Sequence, residues 1–243
     1  MLLRSVFIVS CITGPLLAAD ITGSIVIEHK LTKRKVTPVA DLYQRGTPVG
    51  LVPEESDSLA WERSHVAVYL EGSLPSRPPS LASPVSGASL SMGQEHRRFV
   101  PDLLVVPVGS TISFPNFDPI FHNVFSLSKP KSFDLGNYPE GQTRKVTFNN
   151  PGIVFVNCHL HSNMAASIVI APNSWSARVD RSGKFVLPDV PPGTYTMVAW
   201  HKSAGFFRRQ IQVTEAGGAH IEFVIPLMEP DVRTPETAGL AGH

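Results

Sequence analysis

The chain is expected to fold as an all-β protein of two successive sandwiches, and three observations lead there. Proline is abundant, 22 of 243 residues, nearly twice its average share of about 5%, and proline breaks helix interiors. Short β-branched and aromatic runs recur with Gly, Pro, Asn and Asp between them, the pattern of antiparallel sandwiches and barrels. No long stretch keeps a 3.6-residue apolar period, so any helix is short; Glu54 to Arg63 is the best candidate.

The expected strands follow in order. Ile25 to Ile27 and Val66 to Leu70 come first, then Leu103 to Val106, Val146 to Phe148, Ile153 to Val156 and Ser167 to Ile170. A break falls at Ala171-Pro172-Asn173. Beyond it, Val179 to Phe185 reads as two strands around the Gly183 turn, followed by Tyr195 to Val198, Gln210 to Val213 and Ile221 to Ile225. The expected division is 93–172 as the core of the first sandwich, with 20–72 supplying its N-terminal strands, and 173–226 as a second, smaller sandwich. Residues 73–92 are a Ser- and Pro-rich loop, which has too few apolar side chains to bury a core. Residues 227–243 form a polar tail with Pro and Gly.

The N-terminus carries Arg4, an apolar run from Val6 to Leu17, and Ala18-Ala19-Asp20. A basic residue, a short apolar stretch and small residues describe a secretory signal peptide over 1–19, cleaved near Ala19. The run is short of the roughly 20 residues of a spanning helix. A buried N-terminal strand is the alternative. Ile8-Val9-Ser10-Cys11 also has the form of a lipoprotein cleavage box, but very little apolar segment precedes it. The expected location is therefore periplasmic or secreted, with no transmembrane segment.

Charge excludes one class. Lys+Arg 21 against Asp+Glu 20 provides no basic field of the kind nucleic-acid binding needs. Loss of 1–19 removes Arg4 and Cys11, leaving 20 basic against 20 acidic residues and the single cysteine Cys158. One cysteine cannot close an internal disulfide. Cys158 is an intermolecular bridge, a free thiol or a metal ligand. No G-x-S-x-G, P-loop or H-E-x-x-H pattern is present, and no enzymatic activity is expected.

The residues that carry chemistry are His122, Cys158, His161 and Met164. The last three stand as C-x-x-H-x-x-M between two strand-like runs, so a hairpin loop can aim all three at one point. His122 follows the turn Asn116 to Pro119 and opens another short strand. Two imidazoles and a thiolate with a weak axial thioether suit a type 1 copper site for electron transfer. A structural zinc site would more usually be closed by further Cys or His. Read alone, each residue has a plainer role: Cys158 as a buried apolar residue, His122 as a structural histidine, Met164 as core. His159 makes a His-x-His pair with His161 and is read as exposed or supporting. His29, His65, His96, His201 and His220 stand in unrelated contexts and receive no metal role.

These segments resemble the cupredoxins, the blue-copper proteins. The His122-Asn123-Val124-Phe125 segment looks like their first ligand strand, and the Cys158 to Met164 spacing is of the amicyanin type. Phe99-Val100-Pro101, Val105 to Gly109 and Phe114-Pro115-Asn116 look like the family's approach to the first histidine. Over roughly Gln94 to Pro172 the resemblance is to bacterial exported plastocyanin- or amicyanin-like proteins of the methylamine-utilisation type. The segment after it resembles the carboxypeptidase regulatory-like sandwich, a non-catalytic module. The resemblance implies a cupredoxin Greek-key sandwich followed by that module, and one copper ion held by His122, Cys158, His161 and Met164. Asn123 would tie its strand to the cysteine loop, and His161 would face solvent among apolar residues as the electron exit. Phe121 departs from the amicyanin pattern, which has Pro there, and the Ser73 to Leu90 segment is not part of a minimal cupredoxin. The implied function is an exported one-electron carrier between transiently docked redox proteins. The alternative is a copper-buffering or cell-envelope interaction module that reuses the same fold.

Overall fold

The computed structural model describes residues 18–32, 57–72, 74, 90–214 and 217–226. Residues 1–17 of the expected signal peptide, with the lipoprotein box at Cys11, most of the Ser/Pro-rich loop and the C-terminal tail lie outside the described residues. The chain enters with β1 (Ala19–Ile27), a single helical turn α1 (Ala60–Arg63) and β2 (Val66–Leu70). Next come β3 (Gly93–Glu95), β4 (Arg98–Val100), β5 (Leu103–Pro107) and β6 (Thr111–Pro115). They are followed by β7 (His122–Ser128), β8 (Lys131–Tyr138), β9 (Thr143–Thr147), β10 (Gly152–Asn157) and β11 (Ala165–Ala171). The chain closes with β12 (Ser176–Arg178), β13 (Lys184–Val190), β14 (Gly193–His201), β15 (Gly205–Val213) and β16 (Ala219–Ile225). The described residues are thus nearly all β, as expected from the proline content and the short runs. The helix expected from Glu54 shrinks to one turn within the described residues. Ser64 Oγ donates to the carbonyl of Trp61 at 2.9 Å, and the β-branched run that follows joins a sheet.

Strands β3 to β11 make a central sandwich. Its larger sheet runs β5-β11-β10-β7-β8, and β6-β9 with β3-β4 lie across it. Period-two alternation builds the core. Ile112 and Phe114 of β6, and Val154 and Val156 of β10, point inward to meet Phe99, Val106, Val124, Phe148 and Ile168. Tyr138 is fully buried; its hydroxyl donates to Phe114 O at 3.0 Å and accepts from Gln94 Nε2 at 2.6 Å. Burial pushes its phenol pKa up to about 12, so it stays a neutral donor.

A second, flanking sandwich packs β13-β1-β16 against β12-β2-β14-β15. Here the structure corrects the sequence reading that assigned 20–72 to the copper-binding sandwich. β1 pairs antiparallel with β13 and parallel with β16, while β2 lies between β12 and β14. The central sandwich is therefore inserted between β2 and β12 of a sandwich drawn from both flanks of the chain. The reason is packing. Ile21, Ile25 and Ile27 enter a core with Trp175, Phe185, Leu187, Ile221 and Phe223. Gly23 between them is required by close approach, since a Cβ there would lie 2.3 Å from the Phe185 ring and 2.5 Å from Ile221 O.

The two sandwiches meet face to face. Ala67 and Trp200 pack on Leu103 and Val169, with Tyr69, Val105 and Ile153 at the margin. His65 Nε2 adds a 2.8 Å contact to Asp102 Oδ1 beside this joint. Among the described residues, no helix is long and apolar enough to cross a membrane.

Candidate metal centre

The site forms at one end of the central sandwich, where β7 begins and the β10–β11 hairpin turns. Buried Asn116 shapes the approach to β7. Its Nδ2 donates to Ile120 O and Tyr138 O at 2.8 and 3.1 Å, and its Oδ1 accepts from Asp118 N at 3.0 Å. That Asx turn delivers His122 to the first position of β7 with its ring sealed from solvent. On the other side, Asn157 of β10 pairs with Ala165 of β11, so residues 158–164 form the hairpin loop. Met164 N donates to His161 O at 3.0 Å and tightens that loop into a turn.

Three of the expected residues come together. His122 Nδ1 lies 3.1 Å from His161 Nδ1, and Cys158 Sγ lies 3.7 Å from the same His161 nitrogen. All three ligand atoms fall within 4.8 Å of one another. Metal–nitrogen bonds of about 2.0–2.1 Å and metal–sulfur bonds of about 2.3 Å, opened by roughly 100–120°, put nitrogens about 3.1–3.6 Å apart and nitrogen from sulfur about 3.3–3.8 Å. The His122–His161 and Cys158–His161 spacings fit one shared ion, while Cys158 and His122 stand farther apart, within 4.8 Å. Cys158 is a buried free thiol, 5% exposed. Met164, 1% exposed, belongs to the same core cluster as Cys158.

A ring of hydrogen bonds fixes these atoms. His122 Nε2 donates to Asp118 Oδ2 at 2.7 Å, which leaves Nδ1 as the lone-pair nitrogen facing the cluster. Asp118 also accepts from the backbone N–H groups of His96 and Arg97 at 2.6 and 2.8 Å. Burial alone would raise the Asp118 carboxyl; the Arg97 amide and the His122 ring overcome it and hold the carboxyl below its ordinary value. His161 is held below the ordinary histidine value, first by burial and then by the neighbouring His122. Both causes favour the neutral imidazole that a metal needs. Asn123 N donates to Cys158 Sγ at 3.4 Å, and Asn123 Oδ1 accepts from His159 N at 3.4 Å. This is the strand-to-loop tie expected of Asn123.

His159 turns away from the cluster. Its side chain is 55% exposed and stacks on Phe125, ring centroids 3.6 Å apart. His65 and His201 pair with Asp102 and Glu62, and His220 with Thr22, all away from the site. Two residues of the site escaped the sequence reading. Asp118 had a signal, the Asp-x-x-x-His spacing to His122. Asp134, whose Oδ1 accepts from Asn123 Nδ2 at 2.6 Å, had none, because a register shift between β7 and β8 brings it there.

A family model described as polysaccharide lyase family 4, domain II, matches residues 172–221, most of the C-terminal part of the flanking sandwich. This is a different family from the carboxypeptidase regulatory-like module expected there. No curated protein matches the chain in sequence. Among solved structures, the chain is similar to a reduced tryptophan-to-tyrosine variant of amicyanin: 19% identity over 42% of this chain and 97% of that one, TM-score 0.33. It is similar to a Cu-containing nitrite reductase from Thermus scotoductus SA-01 at 26% identity, covering 41% of this chain and 27% of that one, TM-score 0.34. A purple cupredoxin from Nitrosopumilus maritimus matches at 20% identity over 33% of this chain and 97% of that one, TM-score 0.30.

Proposed function

We propose that the chain is an exported, mononuclear type 1 copper protein that carries single electrons between redox partners and has no catalytic reaction of its own. The observation that carries this reading is the convergence of two imidazole Nδ1 atoms and one cysteine sulfur at 3.1 and 3.7 Å spacing. Soft thiolate together with imidazole favours copper over the harder cations. Copper held by this donor set supplies one-electron chemistry between Cu(I) and Cu(II). His122, Cys158 and His161 would hold the ion, with the Met164 thioether as a fourth, weaker donor.

The protein's own contribution is rigidity. Asp118 locks the His122 tautomer, Asn123 donates to the sulfur, and burial keeps water from that sulfur. Ligands that do not move between oxidation states keep the reorganisation small. Phe121 and Leu160, each preceding a histidine of the cluster, are 56% and 48% exposed, and Phe117 is 59% exposed. They are assigned as the apolar surface on which redox proteins dock transiently beside His161. Export to the periplasm or beyond follows from the N-terminal pattern of Arg4, Val6 to Leu17 and Ala18-Ala19.

The test is voltammetry of the copper-loaded protein. A carrier is reduced and reoxidised reversibly, with unchanged spectra after many cycles. Slow or irreversible reduction beside an intense blue band would replace the carrier reading with that of a copper buffer or envelope module.

A further inference from the structure

Asn123 holds the Cys158 sulfur through its backbone N–H, so whatever fixes Asn123 fixes that bond. Its side-chain amide bridges two segments: Oδ1 accepts from His159 N and Nδ2 donates to Asp134 Oδ1 at 2.6 Å. An amide can rotate by half a turn and exchange oxygen for nitrogen at little intrinsic cost. A carboxylate only accepts, so Asp134 compels Nδ2 to face it and compels Oδ1 toward the His159 N–H. We propose, resting on the copper reading above, that Asp134 is a positioning residue of the metal centre, acting through Asn123 on Cys158.

The fold builds Asp134 for this. Asn123 pairs with Asn137, but Phe125 pairs with Asp134, so Val124 of β7 faces two residues of β8, Leu135 and Gly136. Such a bulge re-aims a side chain. Gly136 takes φ +66° there, and its N–H donates to Asp134 Oδ1 at 2.8 Å, which fixes the carboxylate. The Gly136 and Asn123 donors hold the Asp134 carboxyl below its ordinary value. Its other oxygen, Oδ2, lies 3.6 Å from His159 Nε2. One carboxylate thus reaches both the strand of His122 and the residue after Cys158, although it touches no ligand.

The test compares Asp134→Asn, which keeps an acceptor oxygen, with Asp134→Ala, which has none. In the metal-free full chain, amide exchange at Asn123 and His159 should speed up roughly tenfold in Asp134→Ala and stay near wild type in Asp134→Asn. Cu(II) competition titration should show about tenfold weaker binding for Asp134→Ala, with affinity restored by Asp134→Asn. Unchanged exchange and affinity in a folded Asp134→Ala would overturn the proposal. So would an Asp134→Asn as impaired as Asp134→Ala, because the charge rather than the placement would then matter. Should Asp134→Ala not fold, Asp134→Ser makes the same comparison: it keeps an acceptor for Gly136 and is too short to reach Asn123. If wild type takes up Cu(II) without a blue band, the copper reading fails, while the exchange measurement still decides whether Asp134 positions the loop.

Discussion

Substitution Asp118→Ala removes the acceptor of three N–H groups at once. Two are the backbone amides of His96 and Arg97, at φ +53° and +55° on an exposed hairpin tip. Water can replace their partner, so each loss costs about 0.5–1 kcal/mol. The third is His122 Nε2, on a ring with no solvent exposure. An orphaned buried donor costs about 1–3 kcal/mol. The expected destabilisation of the central sandwich is therefore roughly 2–5 kcal/mol. The imidazole also loses the partner that holds its tautomer, for which Cu(II) affinity should fall about 10- to 100-fold. Of the described tryptophans, Trp61 and Trp175 lie in the flanking sandwich and Trp200 at the joint with the central one, so fluorescence mixes the two units. Amide exchange of Val154 and Val156 in β10 reads the stability of the right one, and competition titration reads the affinity. Asp118→Asn, which returns one acceptor, should fall between the two. A loss below about 0.5 kcal/mol with unchanged affinity would refute the idea that Asp118 orients His122.

Three further outcomes are expected. Met164→Leu conserves volume and should cost less than about 1.5 kcal/mol, keep the blue colour and raise the reduction potential; an unchanged potential would remove Met164 from the ligand set. Gly23→Ala places a methyl group against the Phe185 ring and Ile221 O, and denaturation followed by tryptophan fluorescence should show the flanking sandwich weakened by about 1–3 kcal/mol. Burial pushes His201 below the ordinary value of 6.5, against the pull of Glu62. The unfolded chain then binds a proton near pH 6.5 that the folded chain refuses, so stability should fall as pH drops from 6.5 toward the lowered folded value. In His201→Gln, that part of the acid slope should be absent from the same fluorescence-monitored denaturation.

Much of the site was legible because its residues lie close in sequence. Cys158, His161 and Met164 share one hairpin loop, and His122 opens a strand after a turn that Asn116 and Pro119 announce. Nine of the runs named from the sequence fall on or overlap strands, because alternating β-branched residues leave a local pattern; of the two strands expected over Val179 to Phe185, only the one after Gly183 forms there, as β13, and its predecessor β12 ends at Arg178. The polar β8 left none: five of its eight residues are charged, Ser, Asn or Gly, and it is held by pairing with β7. The assignment of β1 and β2 failed for a different reason. β1 pairs in parallel with β16 across the inserted central sandwich, as at Thr22 and His220, 198 residues apart. Such pairing leaves no local mark; only the tertiary fit of Gly23 beneath Phe185 explains it. Asp134 was hidden likewise, since its reach depends on a bulge.

The central claim is that Cys158 and the two histidines form one copper site. The most direct measurement is the visible spectrum on addition of Cu(II) to wild type and to Cys158→Ala. An intense thiolate-to-copper band in wild type, near one equivalent of metal and absent in Cys158→Ala, is the expected result. A colourless wild-type protein, or colour that survives the loss of the thiol, would contradict it.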